Sequence, residues 1–219
     1  MSMKKIARLL LLTVAVLLQT SCAEQGPYTK GVYMLVDTSG TYTKELLQAQ
    51  NIINFTLSKL NPGDTFVVAR IDTGSFSEKD IVQKQTFEDR PSMANQQKRN
   101  FRDNIDKFIK TIKPSAFTDI SGGLLQAVEY LNEARSGKKT ILIFSDLKQE
   151  LGPGFIRDLP LQLEGYRVIA LNVTKLRSDN IDPREYLDRL DDWRGKVESG
   201  GGEWLVINDL ERLSPIFGG

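Results

Sequence analysis

The sequence predicts an α/β layer fold: a doubly wound, mainly parallel sheet of six strands, one of them an antiparallel edge strand, with helices on both faces. Three observations carry that prediction. Short unbroken apolar runs recur along the chain, as expected for strands buried on both faces. Amphipathic segments of helical period separate them. One of the predicted strands is polar enough to lie at a sheet edge. Strands alternating with helices favour parallel pairing through crossover connections.

Taken in order, Val32-Tyr33-Met34-Leu35-Val36 is the first apolar run and ends at Asp37. From Thr43 to Leu60, the residues Leu46, Ala49, Ile53, Leu57 and Leu60 fall on one helical stripe. Asn61-Pro62-Gly63-Asp64 breaks the chain with strong turn chemistry. Phe66 to Ile71 reads as the second strand and Ile81 to Phe87 as the polar edge strand, with Gln83, Lys84 and Gln85 in it. A second helix puts Phe101, Ile105, Phe108, Ile109 and Ile112 on one face before Pro114, and a third runs from Ser121 to Ala134. Ile141 to Phe144 and Val168 to Val173 are further buried strands. Asp182-Pro183 starts a helix lined by Tyr186, Leu190, Trp193 and Val197. Trp204 to Ile207 closes the sheet, and Asp209 to Phe217 is a short final helix.

Ligands of such sheets sit beyond the C-terminal ends of the strands, at a topological switch point. The residues found there are Asp37-Thr38-Ser39-Gly40-Thr41, Asp72-Thr73, Ser145-Asp146 and Asn172. The first group places a carboxylate and two hydroxyls within five residues, with Gly40 letting the backbone curl. Hard oxygen donors of this kind suit Mg²⁺, Mn²⁺ or Ca²⁺, and the chain has no histidine to favour zinc or copper.

Asp37-Thr38-Ser39-Gly40-Thr41 resembles the Asp-x-Ser-x-Ser motif of the metal-ion-dependent adhesion site in von Willebrand factor type A (VWA) domains. Two further segments share the resemblance. Phe117-Thr118-Asp119-Ile120 with Gly122, Gly123 and Leu124 resembles the threonine motif, and Ile141 to Asp146 the strand that ends in the second acidic ligand. Leu147 stands where many relatives have glycine. The segment from Gly201 to Leu213 is similar to the family's closing strand and helix, so the resemblance covers about residues 30–217.

The resemblance implies a VWA/Rossmann-like fold, with Asp37, Ser39, Thr41, Thr118 and Asp146 as the metal ligands. It implies Mg²⁺, with Mn²⁺ or Ca²⁺ as alternatives, and a protein partner that offers a carboxylate to the ion. Binding, and no enzymatic activity, is the function expected. Asp119 is read as the cap of the helix that follows.

Two rival readings use the same residues. Asp37-Thr38-Ser39-Gly40-Thr41 is also similar to the looser nucleophile motif of haloacid-dehalogenase-like phosphotransferases, with Asp37 attacking. Against it, Ser39 replaces the usual acid/base carboxylate, and Asp146 lacks a second aspartate beside it. The other rival is a scaffold subunit whose metal site is purely structural. Hydrolase triads fail because no imidazole base exists, and no GxxxxGKS loop is present.

The first 22 residues form an export signal. Lys4, Lys5 and Arg8 precede an apolar stretch, Leu9 to Leu18, interrupted only by Thr13. That stretch is shorter than the ~20 residues needed to cross a bilayer. Gln19-Thr20-Ser21-Cys22 resembles the lipobox of bacterial lipoproteins, which makes Cys22 the lipidated first residue of the mature chain. Gln19 departs from the aliphatic residue usual there, and cleavage after Ala23 would instead release a soluble periplasmic protein. Ala23, standing where the enterobacterial sorting rule places an inner-membrane aspartate, points to the outer membrane. Residues 23–30 form a short tether to the domain at 31–217.

Charge excludes a nucleic-acid partner. Lys and Arg number 29 against 28 Asp and Glu, and without Lys4, Lys5 and Arg8 the balance is 26 to 28. Arg99, Arg102, Lys107, Lys110 and Lys113 alternate with Asp103 and Asp106, which makes a solvated helix face. The oligomeric state is not encoded in any pattern of the sequence.

Overall fold

A computed structural model of the protein describes residues 28–40, 43–71, 77–157 and 159–217. The export signal at 1–22 with Cys22, most of the tether, and the site candidates Thr41, Asp72 and Thr73 lie outside the described residues. The strands are β1 (Lys30–Val36), β2 (Thr65–Arg70), β3 (Ile81–Thr86), β4 (Lys138–Phe144), β5 (Tyr166–Leu171) and β6 (Glu203–Ile207). The helices are α1 (Leu46–Lys59), α2 (Pro91–Thr111), α3 (Ile120–Glu133), α4 (Arg184–Ser199) and the short α5 (Ser214–Phe217).

The six strands form one sheet in the order β3-β2-β1-β4-β5-β6. All neighbours are parallel except β2 and β3, so the polar strand is the antiparallel edge. The strand order reverses between β1 and β4, whose register pairs Val36 with Phe144. The switch point therefore lies at Asp37 on one side and Ser145-Asp146 on the other.

Alternating side chains of each central strand feed two separate cores. Val32, Met34 and Val36 join Phe66, Val68, Leu142 and Phe144 beneath α1, α2 and α5. Tyr33 and Leu35 join Val67, Ala69, Ile141 and Ile143 beneath α3 and α4. Burial of both faces explains why these strands read as unbroken apolar runs in the sequence. Phe66 stacks on Phe101 with ring centroids 5.0 Å apart, which locks α2 to β2.

Local chemistry sets the element ends. In the turn after α1, Gly63 takes φ +83 and the Asp64 carboxylate accepts the N–H groups of Asn61 and Lys30. Pro91 occupies the first turn of α2, where its missing N–H costs nothing. That start lies upstream of Phe101, because Ala94 is the one residue of the polar first turns to reach the core. The expected final helix divides into a 3₁₀ turn at Leu210–Leu213 and α5. Pro215 lacks the N–H needed to continue a helix from the preceding turn. Gly123 in α3 allows close approach to the sheet: a Cβ there would lie 2.7 Å from Ile71 Cγ2 and 2.9 Å from Leu35 Cδ2.

Candidate metal centre

Three chain segments meet beyond the C-terminal ends of β1 and β4, and each is placed by backbone pairing. The Asp37 N–H donates to the Phe144 carbonyl (2.9 Å), continuing the β1–β4 ladder by one residue. Ser39 then bridges to Ser115, with Ser115 N–H donating to the Thr38 carbonyl (3.0 Å) and Gly40 N–H to the Ser115 carbonyl (3.1 Å). Thr118 exchanges two backbone hydrogen bonds with Glu150, of 2.8 and 2.9 Å. The 115–118 segment is thus strung between the loop after β1 and the loop after β4.

Of the residues assigned as ligands from the sequence, Asp37, Ser39, Thr118 and Asp146 lie on these segments, and Thr41 is outside the described residues. The four are 1%, 8%, 2% and 3% exposed, a depth at which polar groups need partners. The Asp37 carboxylate accepts the Ser39 N–H through Oδ1 (2.8 Å) and the Ser145 hydroxyl through Oδ2 (2.7 Å). Asp146 accepts the Lys148 N–H through Oδ1 (2.9 Å).

The electrostatics of the pair are unfavourable without a cation. Burial pushes the Asp146 carboxyl up to about 6, and the negative charge of Asp37 adds to the rise. The Lys148 N–H and the Arg189 guanidinium oppose it without cancelling it. Among the described residues no group of three or more His, Cys, Asp or Glu side chains is arranged to hold a metal ion. The donor set here is instead two carboxylates plus hydroxyls, the chemistry of a hard divalent cation. On these observations the residues fit such an ion.

Asp119 does not belong to this donor set. Its carboxylate caps α3 through the Gly122 N–H (2.8 Å) and forms an ion pair with Arg157 (2.8 Å). Capping was the role expected for Asp119, while Arg157 was not anticipated. Nor does the sequence indicate the bonds made by Ser145, Arg189 and Trp193, although it places Ser145 at a strand end and Trp193 on an inward helix stripe. Ser145 was visible in the sequence as a hydroxyl at a strand end, beside Asp146. Arg189 donates to the Asp146 carbonyl and Trp193 to the Leu147 carbonyl, each at 2.9 Å. No periodicity foretells contacts across more than forty residues.

No protein-family model matches the sequence, and no curated protein sequence matches it either. Solved structures do resemble it. A von Willebrand factor type A protein from Catenulispora acidiphila is 14% identical with a TM-score of 0.54, over 86% of this chain and 41% of that one. The pilus adhesin SpaC from Lactobacillus rhamnosus GG, in its open conformation, is 10% identical with a TM-score of 0.55, over 89% of this chain and 30% of that one. The chain spans less than half the length of either. With a mostly parallel six-stranded sheet, one antiparallel edge strand and helices on both faces, the chain has the fold of von Willebrand factor type A domains.

Proposed function

We propose that this chain is a divalent-metal-dependent protein-binding module, for adhesion or complex assembly, at the bacterial cell envelope, without enzymatic activity. The observation that carries the reading is the pair of buried carboxylates, Asp37 and Asp146, at the ends of the two central strands. Like charges withdrawn from water repel unless a cation lies between them. Asp37, Ser39, Thr41, Thr118 and Asp146 would hold Mg²⁺, or Mn²⁺ or Ca²⁺ by the same chemistry. When bound, the ion supplies a coordination position open to a carboxylate oxygen of a protein partner.

The chain's own residues prepare that position. Both oxygens of Asp37 are fixed by hydrogen bonds, which orients the carboxylate as a ligand and hinders its approach to a phosphoryl group as a nucleophile. The paired backbone of Thr118 and Glu150 fixes the main chain that carries the third candidate hydroxyl. SpaC, of the same fold, is a pilus adhesin, and an adhesive role agrees with that likeness. The export pattern of residues 1–22 supports placement at the envelope through lipid on Cys22, at the outer membrane. Cleavage after Ala23 would give a soluble periplasmic form instead. No helix among the described residues is long and apolar enough to cross a membrane.

The decisive experiment is thermal unfolding of the full chain in mild detergent, titrated with Mg²⁺, Mn²⁺ and Ca²⁺ beside Asp37→Ala. An ion at a hundredfold above its Kd adds about 2.7 kcal/mol, and the midpoint should rise by roughly 5–10 °C. The rise should vanish in Asp37→Ala. No rise with any of the three ions would defeat the reading. Mass spectrometry of the mature N-terminus separates lipidated Cys22 from cleavage after Ala23.

A further inference from the structure

The backbone that carries Asp146 is held from outside the metal centre. Leu147, the next residue, has φ +66, a left-handed conformation that costs a branched side chain energy and that glycine adopts freely. Its side chain is 1% exposed and packs in the core shared with α3 and α4. Two side chains of α4 grip the bend. Arg189 Nε donates to the Asp146 carbonyl and Trp193 Nε1 to the Leu147 carbonyl, both at 2.9 Å. Residues four apart share one helix face, so two successive carbonyls meet donors one turn apart.

The Arg189 fork is itself fixed. Its terminal nitrogens bind both oxygens of Asp179, at 3.1 and 2.8 Å, and the Asp179 side chain is fully buried. Asp179 in turn accepts the Leu176 N–H (2.7 Å), and the Tyr186 ring lies 5.7 Å from the guanidinium. On the far side of the bend, Leu147 N–H donates to Ser145 Oγ (3.0 Å), whose proton goes to Asp37. A continuous chain of contacts therefore runs from α4 through the 145–147 backbone to the carboxylate of Asp37.

We propose that Arg189 and Trp193 are positioning residues for the metal site: by holding the left-handed bend at Asp146-Leu147 they set the carboxylate of Asp146 beside Asp37. The proposal rests on the metal-binding reading above. A core tryptophan would need only its ring; here the indole N–H matters too. A surface arginine would need only its charge; here the fork shape matters, because lysine cannot serve Asp179 and the Asp146 carbonyl together.

The test is the Mn²⁺ dissociation constant, read from the electron paramagnetic resonance signal of the free ion, beside the unfolding midpoint of the metal-free protein. The variants are Trp193→Phe and Arg189→Lys, which retain the ring and the charge. The control is Trp204→Phe, since Trp204 lies near the N-terminal end of β6 and its buried indole nitrogen has no hydrogen-bond partner among the described residues. Each positioning variant should bind Mn²⁺ about 3–10-fold more weakly, the worth of one hydrogen bond, and the control as the parent does. A lowered midpoint with an unchanged dissociation constant in both variants would mean a purely structural role and overturn the proposal. A parent that binds no Mn²⁺ overturns this proposal together with the metal reading, whereas a binding parent with unaffected variants overturns this one alone.

Discussion

The two ends of the sheet solve opposite problems with polar residues. At the C-terminal end, Asp37, Ser39, Thr118, Asp119, Ser145 and Asp146 are all less than a tenth exposed. At the N-terminal end, Lys138 is exposed and Lys30, Lys139 and Arg167 half-buried, around a hollow of about 570 Å³. Their heads meet partners that ask little of them: Lys30 the Phe217 carbonyl, Lys139 the Asn132 amide oxygen, and Arg167 the exposed Glu203. Long stems let such charges stay near water, so that end needs no ligand to be stable. Short carboxylates and hydroxyls have no such freedom. Burying them costs free energy that a partner group must offset, and the hollow at the N-terminal end is therefore a poorer guide to function than the place where polar groups are buried.

Four substitutions would break or sharpen that contrast. The largest effect is expected for Asp119→Ala, which removes a helix cap and strands the Arg157 guanidinium beside α3. A loss of about 3–4 kcal/mol is expected, lowering the midpoint by roughly 10 °C. A loss below about 1 kcal/mol would show that polar burial at this end is cheap and remove the contrast.

Asp146→Asn should have the opposite sign. With the carboxyl at about 6 in the folded chain against 3.8 unfolded, its contribution to stability is present below 3.8 and is lost as pH rises to about 6. The metal-free variant should therefore be more stable than the parent at pH 7, by up to about 3 kcal/mol, while losing the stabilisation by Mg²⁺. Denaturant titrations at pH 4 and pH 7, with chelator, check both the sign and the window.

Ser145→Ala should cost about 2 kcal/mol in the metal-free protein, since it removes the donor to a buried carboxylate. Urea unfolding at neutral pH reads this directly. The smallest effect belongs to the other end. Lys138→Ala should change stability by no more than about 0.5 kcal/mol in the same assay, and a larger loss would mean that the N-terminal end is also under polar constraint.

The sequence made the sheet legible because its central strands are buried on both faces. An unbroken run such as Ile141-Leu142-Ile143-Phe144 has few other homes, and the polar Gln83-Lys84-Gln85 had to lie at an edge. The candidate ligands were legible for the same reason, since they follow those runs directly. The residues that hold the ligands were not. Ser145 reaches Asp37 across 108 positions and Arg157 reaches Asp119 across 38, and neither pattern nor propensity encodes pairings at such separations. Trp193 was correctly placed on the inward stripe of α4, but a hydrophobic stripe does not say where an indole N–H points.

Parallel strands also give the molecule a direction. The chain enters β1 at Lys30, and Asp37 follows seven residues later, about 23 Å away at ~3.3 Å per residue. If lipid on Cys22 holds the protein, the eight intervening steps to Lys30 span at most about 28 Å. The binding end would then face away from its own bilayer at a stand-off set by one strand and one short leash. A partner embedded in the same membrane would need a stalk to reach it, whereas one arriving from the opposite side would meet it head-on.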